Sequence, residues 1–202
     1  MIIILAGTPG TGKTVLGNLL SKDIDCSLTS TSKLLRELGL TRADPTGRFT
    51  EVVDGEISPA VELLVRESQE GKCIVLETVY PSLWLSYKDL DYEISLIILL
   101  RAHPVELYNR LKARNWPEQK VIENALSEAF NIIAEELLDA SYDVLEIDTS
   151  QKTPRQSLES LYDKLEKWRT GISIDWMNDP RVQDLVAKWS IRMDLDKYRL
   201  GL

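Results

Sequence analysis

The chain has 202 residues, of which 44% are hydrophobic, with 24 Lys and Arg against 32 Asp and Glu for a formal net charge of −8. That length fits one α/β domain large enough to cover a central sheet on both faces and leaves no room for a second full domain. The acidic balance argues against a broadly basic nucleic-acid surface and makes a basic protein the expected macromolecular partner, while still allowing a local positive pocket.

Ile2-Ile3-Ile4-Leu5-Ala6 reads as a short buried strand, too short to span a bilayer, with no basic n-region or cleavage site around it. The expectation is a cytoplasmic protein with no membrane role. Gly7-Thr8-Pro9-Gly10-Thr11-Gly12-Lys13-Thr14 follows and fits G-x-x-x-x-G-K-[ST] at every fixed position. Its glycines let successive N–H groups turn inward around phosphates, Lys13 reaches the β/γ oxygens, and the Thr14 hydroxyl can ligate Mg²⁺. Val15 to Leu20 has apolar positions at helical spacing, so a helix N-terminus adds its positive end to the loop. Gly10, Thr11, Gly12, Lys13 and Thr14 are the candidate site for the triphosphate of ATP with Mg²⁺.

Strand-like and helix-like segments then alternate, the pattern of a parallel sheet with crossover helices. Cys26 to Ser30 reads as a second strand, Thr31 to Leu38 as a helix ended by Gly39, and Leu40 to Ser58 as an aperiodic loop able to close over a ligand. Pro59 to Glu70 returns to helix, and Cys73 to Glu77 is a buried third strand. Cys26 and Cys73 lack C-x-x-C spacing and a nearby His, which predicts two buried free thiols and a reducing compartment. Glu77 stands at the strand's C-terminal edge, where open α/β sheets bind ligands; it can hold Mg²⁺ as a Walker-B acid or simply be the first solvated residue. A fourth strand, Glu93 to Leu100, ends at Arg101, a second charge at that edge.

On a helix opening near Pro104, Leu107, Arg110, Leu111 and Arg114 fall three or four apart, so one stripe packs while Arg110 and Arg114 point together. His103, just before it, reads as a turn or capping residue. The string Arg110-Leu111-Lys112-Ala113-Arg114-Asn115-Trp116, with Lys120-Val121-Ile122-Glu123-Asn124 and the phosphate loop, resembles the atypical adenylate kinases of the sixth isoform type, the coilin-interacting nuclear ATPase family and its archaeal relatives. The likeness runs from Met1 to about Trp168 and includes Asp148-Thr149-Ser150. It implies a P-loop NTPase of the nucleoside-monophosphate-kinase type: a five-stranded parallel sheet of order 2-3-1-4-5, flanked by helices, with a short lid. Residues 1–168 would form the kinase-like domain, with 31–70 the monophosphate region and 110–120 the lid, and 169–202 a C-terminal helical extension. By the same resemblance Arg36 helps bind AMP, Arg110 and Arg114 are lid arginines, and Thr149, Ser150 and Thr153 lie in the loop against adenine, where an ordinary turn and helix cap would use the same residues. It also implies a part in maturing the small ribosomal subunit with a basic ribosomal protein. The family has an aspartate followed two positions later by histidine after the third strand, whereas Leu76-Glu77-Thr78-Val79 has no histidine. That departure bears on water activation and on the Mg²⁺ role of Glu77.

Pro117 opens a predicted long helix with Val121, Ala125, Phe130, Ile133 and Leu137 on one face and Glu123, Glu128, Glu135 and Glu136 mostly off it. Asp143 to Asp148 is the fifth strand, and Pro154 to Trp168 the last helix of the domain. In the extension, Asp179-Pro180 is a helix start, and Val182, Leu185, Val186, Trp189 and Met193 form a stripe that covers either the domain's own helices or a partner. Two function classes stand open: an enzyme moving phosphoryl from ATP to AMP, with weaker ATPase activity, or a nucleotide-switched assembly factor with little turnover. Either fits a monomer or a dimer.

Overall fold

In a computed structural model of the chain, residues 1–44, 51–138 and 142–199 are described, with residues 51, 52 and 191–199 described by backbone alone. In chain order the strands are β1 (Ile2–Gly7), β2 (Ser27–Ser30), β3 (Thr41–Ala43), β4 (Glu51–Val53), β5 (Ile74–Thr78), β6 (Ile94–Arg101) and β7 (Val144–Asp148). The helices are α1 (Lys13–Asp23), α2 (Thr31–Glu37), α3 (Ser58–Gln69), α4 (Pro81–Leu85), α5 (Lys88–Asp91), α6 (Pro104–Lys112), α7 (Glu118–Ala129), α8 (Ile132–Leu138), α9 (Pro154–Glu166) and α10 (Pro180–Arg199).

Five strands form a parallel sheet in the order β2-β5-β1-β6-β7. Counting those strands alone, this is the predicted order 2-3-1-4-5. Alternation along β1 assigns its two faces: Ile2, Ile4 and Ala6 pack with α2, α3, α4 and α8 through Leu35, Leu64, Trp84 and Leu137, while Ile3 and Leu5 meet Leu16 and Leu20 of α1 and Leu158 and Leu161 of α9. Both faces are therefore dry, as a parallel sheet requires. Outside these layers α6 and α7 pack on each other through Leu107, Leu111 and Val121. Helix α10 lies on α7, with Val182 and Val186 against Ala129, and with Trp189 against Ile122 and stacked on Tyr108 of α6 at 5.3 Å. The predicted stripe thus covers the protein's own helices as far as Trp189; the side chain of Met193 lies outside the described residues.

Four expectations are corrected. The loop expected over Leu40 to Ser58 contains an antiparallel pair, Thr41 opposite Val53 and Ala43 opposite Glu51, because β-branched residues on both arms favour extended backbone; its Pro45 and Gly47 lie outside the described residues. The long helix expected from Pro117 is broken between α7 and α8 at Asn131, whose φ of 58° is left-handed, and the break leaves Phe130 exposed. Arg101 does not face the binding edge. It is 1% exposed, its guanidinium buried between Glu128 and Glu146, and Glu128 accordingly points inward. The thiols of Cys26 and Cys73 are not free: they form a disulfide. The reason is register, since Ser27 pairs with Ile74 across β2 and β5, which brings the preceding residues side by side with a Cα–Cα distance of 4.6 Å. With that bond the argument for a reducing compartment loses its basis. Among the described residues no helix is long and apolar enough to cross a membrane.

Candidate functional site

The phosphate loop runs from the end of β1 to the start of α1, at the C-terminal edge of the sheet. Gly12 is the N-cap of α1 with φ 98°, a conformation that L side chains rarely adopt. Gly10 meets a second demand: a Cβ there would lie 2.8 Å from Leu107 Cδ1, so its bare backbone lets α6 pack beneath the loop. The first-turn amides of α1 lack intrahelical partners and can serve an anion.

Lys13 is 6% exposed, and its Nζ donates to the carbonyls of Gly7 at 2.6 Å and Thr8 at 3.1 Å. Burial pushes the ammonium down to about 8, opposed by the carboxylates of Glu77 and Glu128 and assisted by Arg114. Glu77 arrives beside the loop because β5 pairs with β1, where it stands opposite Leu5. The Thr14 hydroxyl donates to Glu77 Oε1 at 2.8 Å. One hydroxyl and one carboxylate, both hard oxygens at the loop's mouth, suit Mg²⁺, which takes few protein ligands and completes its shell with water and phosphate. No cluster of three or more His, Cys, Asp and Glu side chains exists among the described residues, so these two would hold the ion jointly with the nucleotide. Two positions beyond Glu77, the apolar Val79 stands beside the site, and the Thr78 hydroxyl accepts from Tyr80 N at 3.0 Å.

The loop separates two cavities. The smaller, about 250 Å³, is lined by Gly10, Thr11, Gly12, Arg110, Arg114 and Thr149, so the two arginines do come together. Arg110 is already engaged: it donates to Glu106 Oε1 at 2.5 Å, to the Thr149 carbonyl at 2.8 Å and hydroxyl at 3.1 Å, and to the Gly10 carbonyl at 3.4 Å. The Thr149 hydroxyl in turn lies 2.9 Å from the carbonyls of Thr11 and Arg101, tying the end of β7 to the phosphate loop. Ser150 turns the other way, its hydroxyl accepting from His103 N at 2.6 Å. His103 caps α6, its ring accepting from Val105 N, as its place in the sequence suggested. The larger cavity, about 610 Å³, lies on the opposite side of the loop and is lined by Lys13, Glu77, Thr31, Leu35, Tyr80 and, from the short hairpin, Thr41 and Val53. Arg36 is exposed on α2 and lines neither cavity.

One site residue escaped sequence reasoning altogether. Glu128, 3% exposed, accepts from the Thr8 hydroxyl at 2.5 Å and so joins α7 to the phosphate loop. Its partner lies 120 residues away, and the helical pattern grouped Glu128 with the acids mostly off the apolar face.

A family model described as an AAA domain matches residues 3–131, which include the phosphate loop, Glu77, Arg110, Arg114 and Glu128. The chain belongs to this family. A member from Saccharolobus solfataricus named "Putative adenylate kinase" is 34% identical over 185 residues, 91% of each chain. Another of that name from Sulfurisphaera tokodaii is 33% identical over 187 residues, 92% of this chain and 91% of its own. Since 91% of this chain exceeds the 168 residues before the extension, the likeness reaches beyond the boundary expected at Trp168. Among solved structures, an uncharacterized protein from Eubacterium ventriosum aligns over 83% of this chain and 98% of its own with a TM-score of 0.51 at 11% identity, a likeness of fold alone.

Proposed function

We propose that the protein is an adenylate kinase, transferring the γ-phosphoryl group of ATP to AMP, with slower hydrolysis by water. The observation that carries this reading is the phosphate loop standing as a wall between two cavities, with Lys13 lining the larger and Gly10 to Gly12 the smaller. A donor on one side and an acceptor on the other would meet at Lys13. The relatives' shared name supports the same chemistry.

Adenine and ribose of ATP would occupy the smaller cavity near Thr149 and Ser150, with the phosphates drawn to the loop amides and Lys13. Arg110 and Arg114 would neutralise charge on the transferring group, whose loose transition state asks chiefly for positioning and electrostatic stabilisation. Mg²⁺ bound at Thr14 and Glu77 would add its own charge to that stabilisation. AMP would enter the larger cavity, with α2 and Arg36 on its flank; its phosphate, already anionic, needs little activation. Water needs orientation, and the segment Leu76–Val79, which has no histidine, offers only Glu77 and Thr78. The link to ribosomal-subunit maturation rests on the resemblance and on the net charge of −8, which suits a basic protein partner.

The test is ADP formation from ATP and Mg²⁺, with and without AMP, for wild type and Glu77→Gln. AMP should accelerate ADP formation by roughly 10²-fold, the scale of a missing water-positioning group. Glu77→Gln should slow both reactions. Hydrolysis as fast as transfer would refute the kinase reading, and no turnover together with nucleotide-dependent binding of a basic ribosomal protein would favour the assembly factor.

A further inference from the structure

Arg101, Glu128 and Glu146 form a buried ion cluster beneath the phosphate loop, and the C-terminal extension completes it. Glu128 Oε2 accepts from the Thr8 hydroxyl at 2.5 Å, while Oε1 takes Arg101 Nε at 2.8 Å, Ala102 N at 3.2 Å and, from the extension, Trp176 Nε1 at 3.0 Å. Glu146 Oε1 accepts from Arg101 Nη1 at 2.8 Å, and Oε2 is served by the extension through Ser173 N at 2.7 Å, Ile174 N at 3.0 Å and the Ser173 hydroxyl at 3.3 Å. Arg101 also donates to the Ile174 carbonyl at 3.3 Å and to Asn131 Oδ1, and its guanidinium lies 5.9 Å from the Trp176 ring centroid. Asp179, 3.2 Å from His103 Nε2, anchors the far end of the segment.

We infer that the segment from Ser173 to Asp179 is a positioning element of the nucleotide site, acting through Glu128 on Thr8. The Thr8 carbonyl is itself a partner of Lys13 Nζ, and it accepts from Thr11 N at 3.2 Å and Thr11 Oγ1 at 2.8 Å. A shift of Thr8 therefore moves the lysine and the turn of the loop together. Take the extension away and the two carboxylates lose the donors that fix them in place; they re-pair within the cluster or with water, and Glu128 ceases to hold Thr8 in one place. Because Glu128 is on the last turn of α7, the same carboxylate fixes the helix after the lid relative to the loop.

The inference rests on reading the loop as an ATP site, so the test measures binding of ATP with Mg²⁺ to the full chain rather than turnover. Trp176→Phe keeps an aromatic ring and removes the N–H. It should weaken ATP binding by about tenfold, the equivalent of one hydrogen bond to a charged group. Thr8→Val should do much the same, and the double variant should lose little more than either single, since both act through one carboxylate. A purely structural role for Trp176 would lower the melting temperature yet leave the two losses multiplying independently. In wild type, reciprocity requires ATP to increase hydrogen-exchange protection of the Ser173 and Ile174 amides. Wild-type affinity in Trp176→Phe, multiplying losses, or protection unchanged by ATP would overturn the inference alone. Failure of wild type to bind ATP would overturn it together with the kinase reading.

Discussion

The two cavities flanking the phosphate loop are built differently. The smaller is walled by groups already bonded to one another: Arg110 holds Thr149 and Gly10, and Thr149 reaches back to Thr11. The larger is lined by hydroxyls and aliphatic groups, Ser30, Thr31, Ser32, Thr78, Leu35 and Val53 among them, and Lys13 is the cation among its described lining residues. The smaller cavity is therefore set before ligand arrives and presents charge. The larger offers shape and hydroxyl contacts, with Lys13 and Glu77 at the phosphate-loop end of its lining.

Removing Lys13 should have the largest effect, since the proposed donor and acceptor meet at its ammonium. Lys13→Ala is expected to lower transfer by roughly 10²–10³-fold, the loss seen when one preorganised donor to a transition-state oxyanion is deleted. Its thermal stability should not fall, because the buried ammonium carries a desolvation penalty that the alanine lacks. Steady-state rates and a melting curve check the pair of outcomes; near-normal turnover would dissolve the idea that the cavities share one centre.

The side of the larger cavity has one tie that the smaller lacks. Cys26 and Cys73, 47 residues apart in sequence, close off β2, α2, the short hairpin and α3 in a single covalent loop. Disulfides typically stabilise by about 2–4 kcal/mol, chiefly by restricting the unfolded chain. Reduction, or Cys73→Ser, should lower Tm by roughly 5–15 °C for a chain of this size, while ATP affinity of the folded protein stays unchanged. Calorimetry with and without reductant tests this, and an unchanged Tm would mean that side is held by packing alone.

Arg110 and Arg114 sharpen the comparison from the smaller cavity. Both Ala variants should lose kcat more than KM, by roughly 10²-fold, because their charge acts on the transferring group. They should differ in stability: Arg110→Ala unties Thr149 from Gly10 and should cost about 1–2 kcal/mol of unfolding free energy, whereas the exposed Arg114 should cost little. Equal melting temperatures would show that the ties of Arg110 do not preorganise the pocket.

What could be read from the sequence follows the range of the interactions. The phosphate loop is contiguous, and the sheet is spelled by apolar runs such as Ile97 to Leu100, so both were legible. The disulfide, the Thr8–Glu128 bond and the Arg101–Glu146 pair join residues 45 to 120 positions apart, and no local period encodes them. Arg101 misled for a physical reason: a charge ending an apolar strand usually marks solvent, and only two distant carboxylates make its burial tolerable. Asn131, by contrast, was readable, since asparagine accepts the left-handed turn that divides α7 from α8.

The smallest expected effect concerns protons and reports on Lys13. Lys13 falls from its ordinary 10.5 to about 8 on folding, so between those values the unfolded chain holds more protons and stability rises with pH. Below about pH 8 the ammonium is charged in both states, and its burial penalty is fully present. A bound triphosphate surrounds the same ammonium with negative charge and raises its pKa again, so binding above pH 8 must take up a proton. ATP affinity should be flat from pH 7 to about 8 and then fall, by up to about tenfold per unit. Calorimetric titration at pH 8.5 in two buffers of unequal ionisation heat should show uptake approaching one proton, abolished in Lys13→Met. The neighbours give the sign an independent check: Glu77→Gln removes a carboxylate that favours the charge and should move the fall to lower pH, whereas Arg114→Ala removes a repelling cation and should move it higher. Proton release on binding, or shifts of the opposite sense, would mean that the titrating group lies outside the phosphate loop and that Lys13 does not link the two cavities electrostatically.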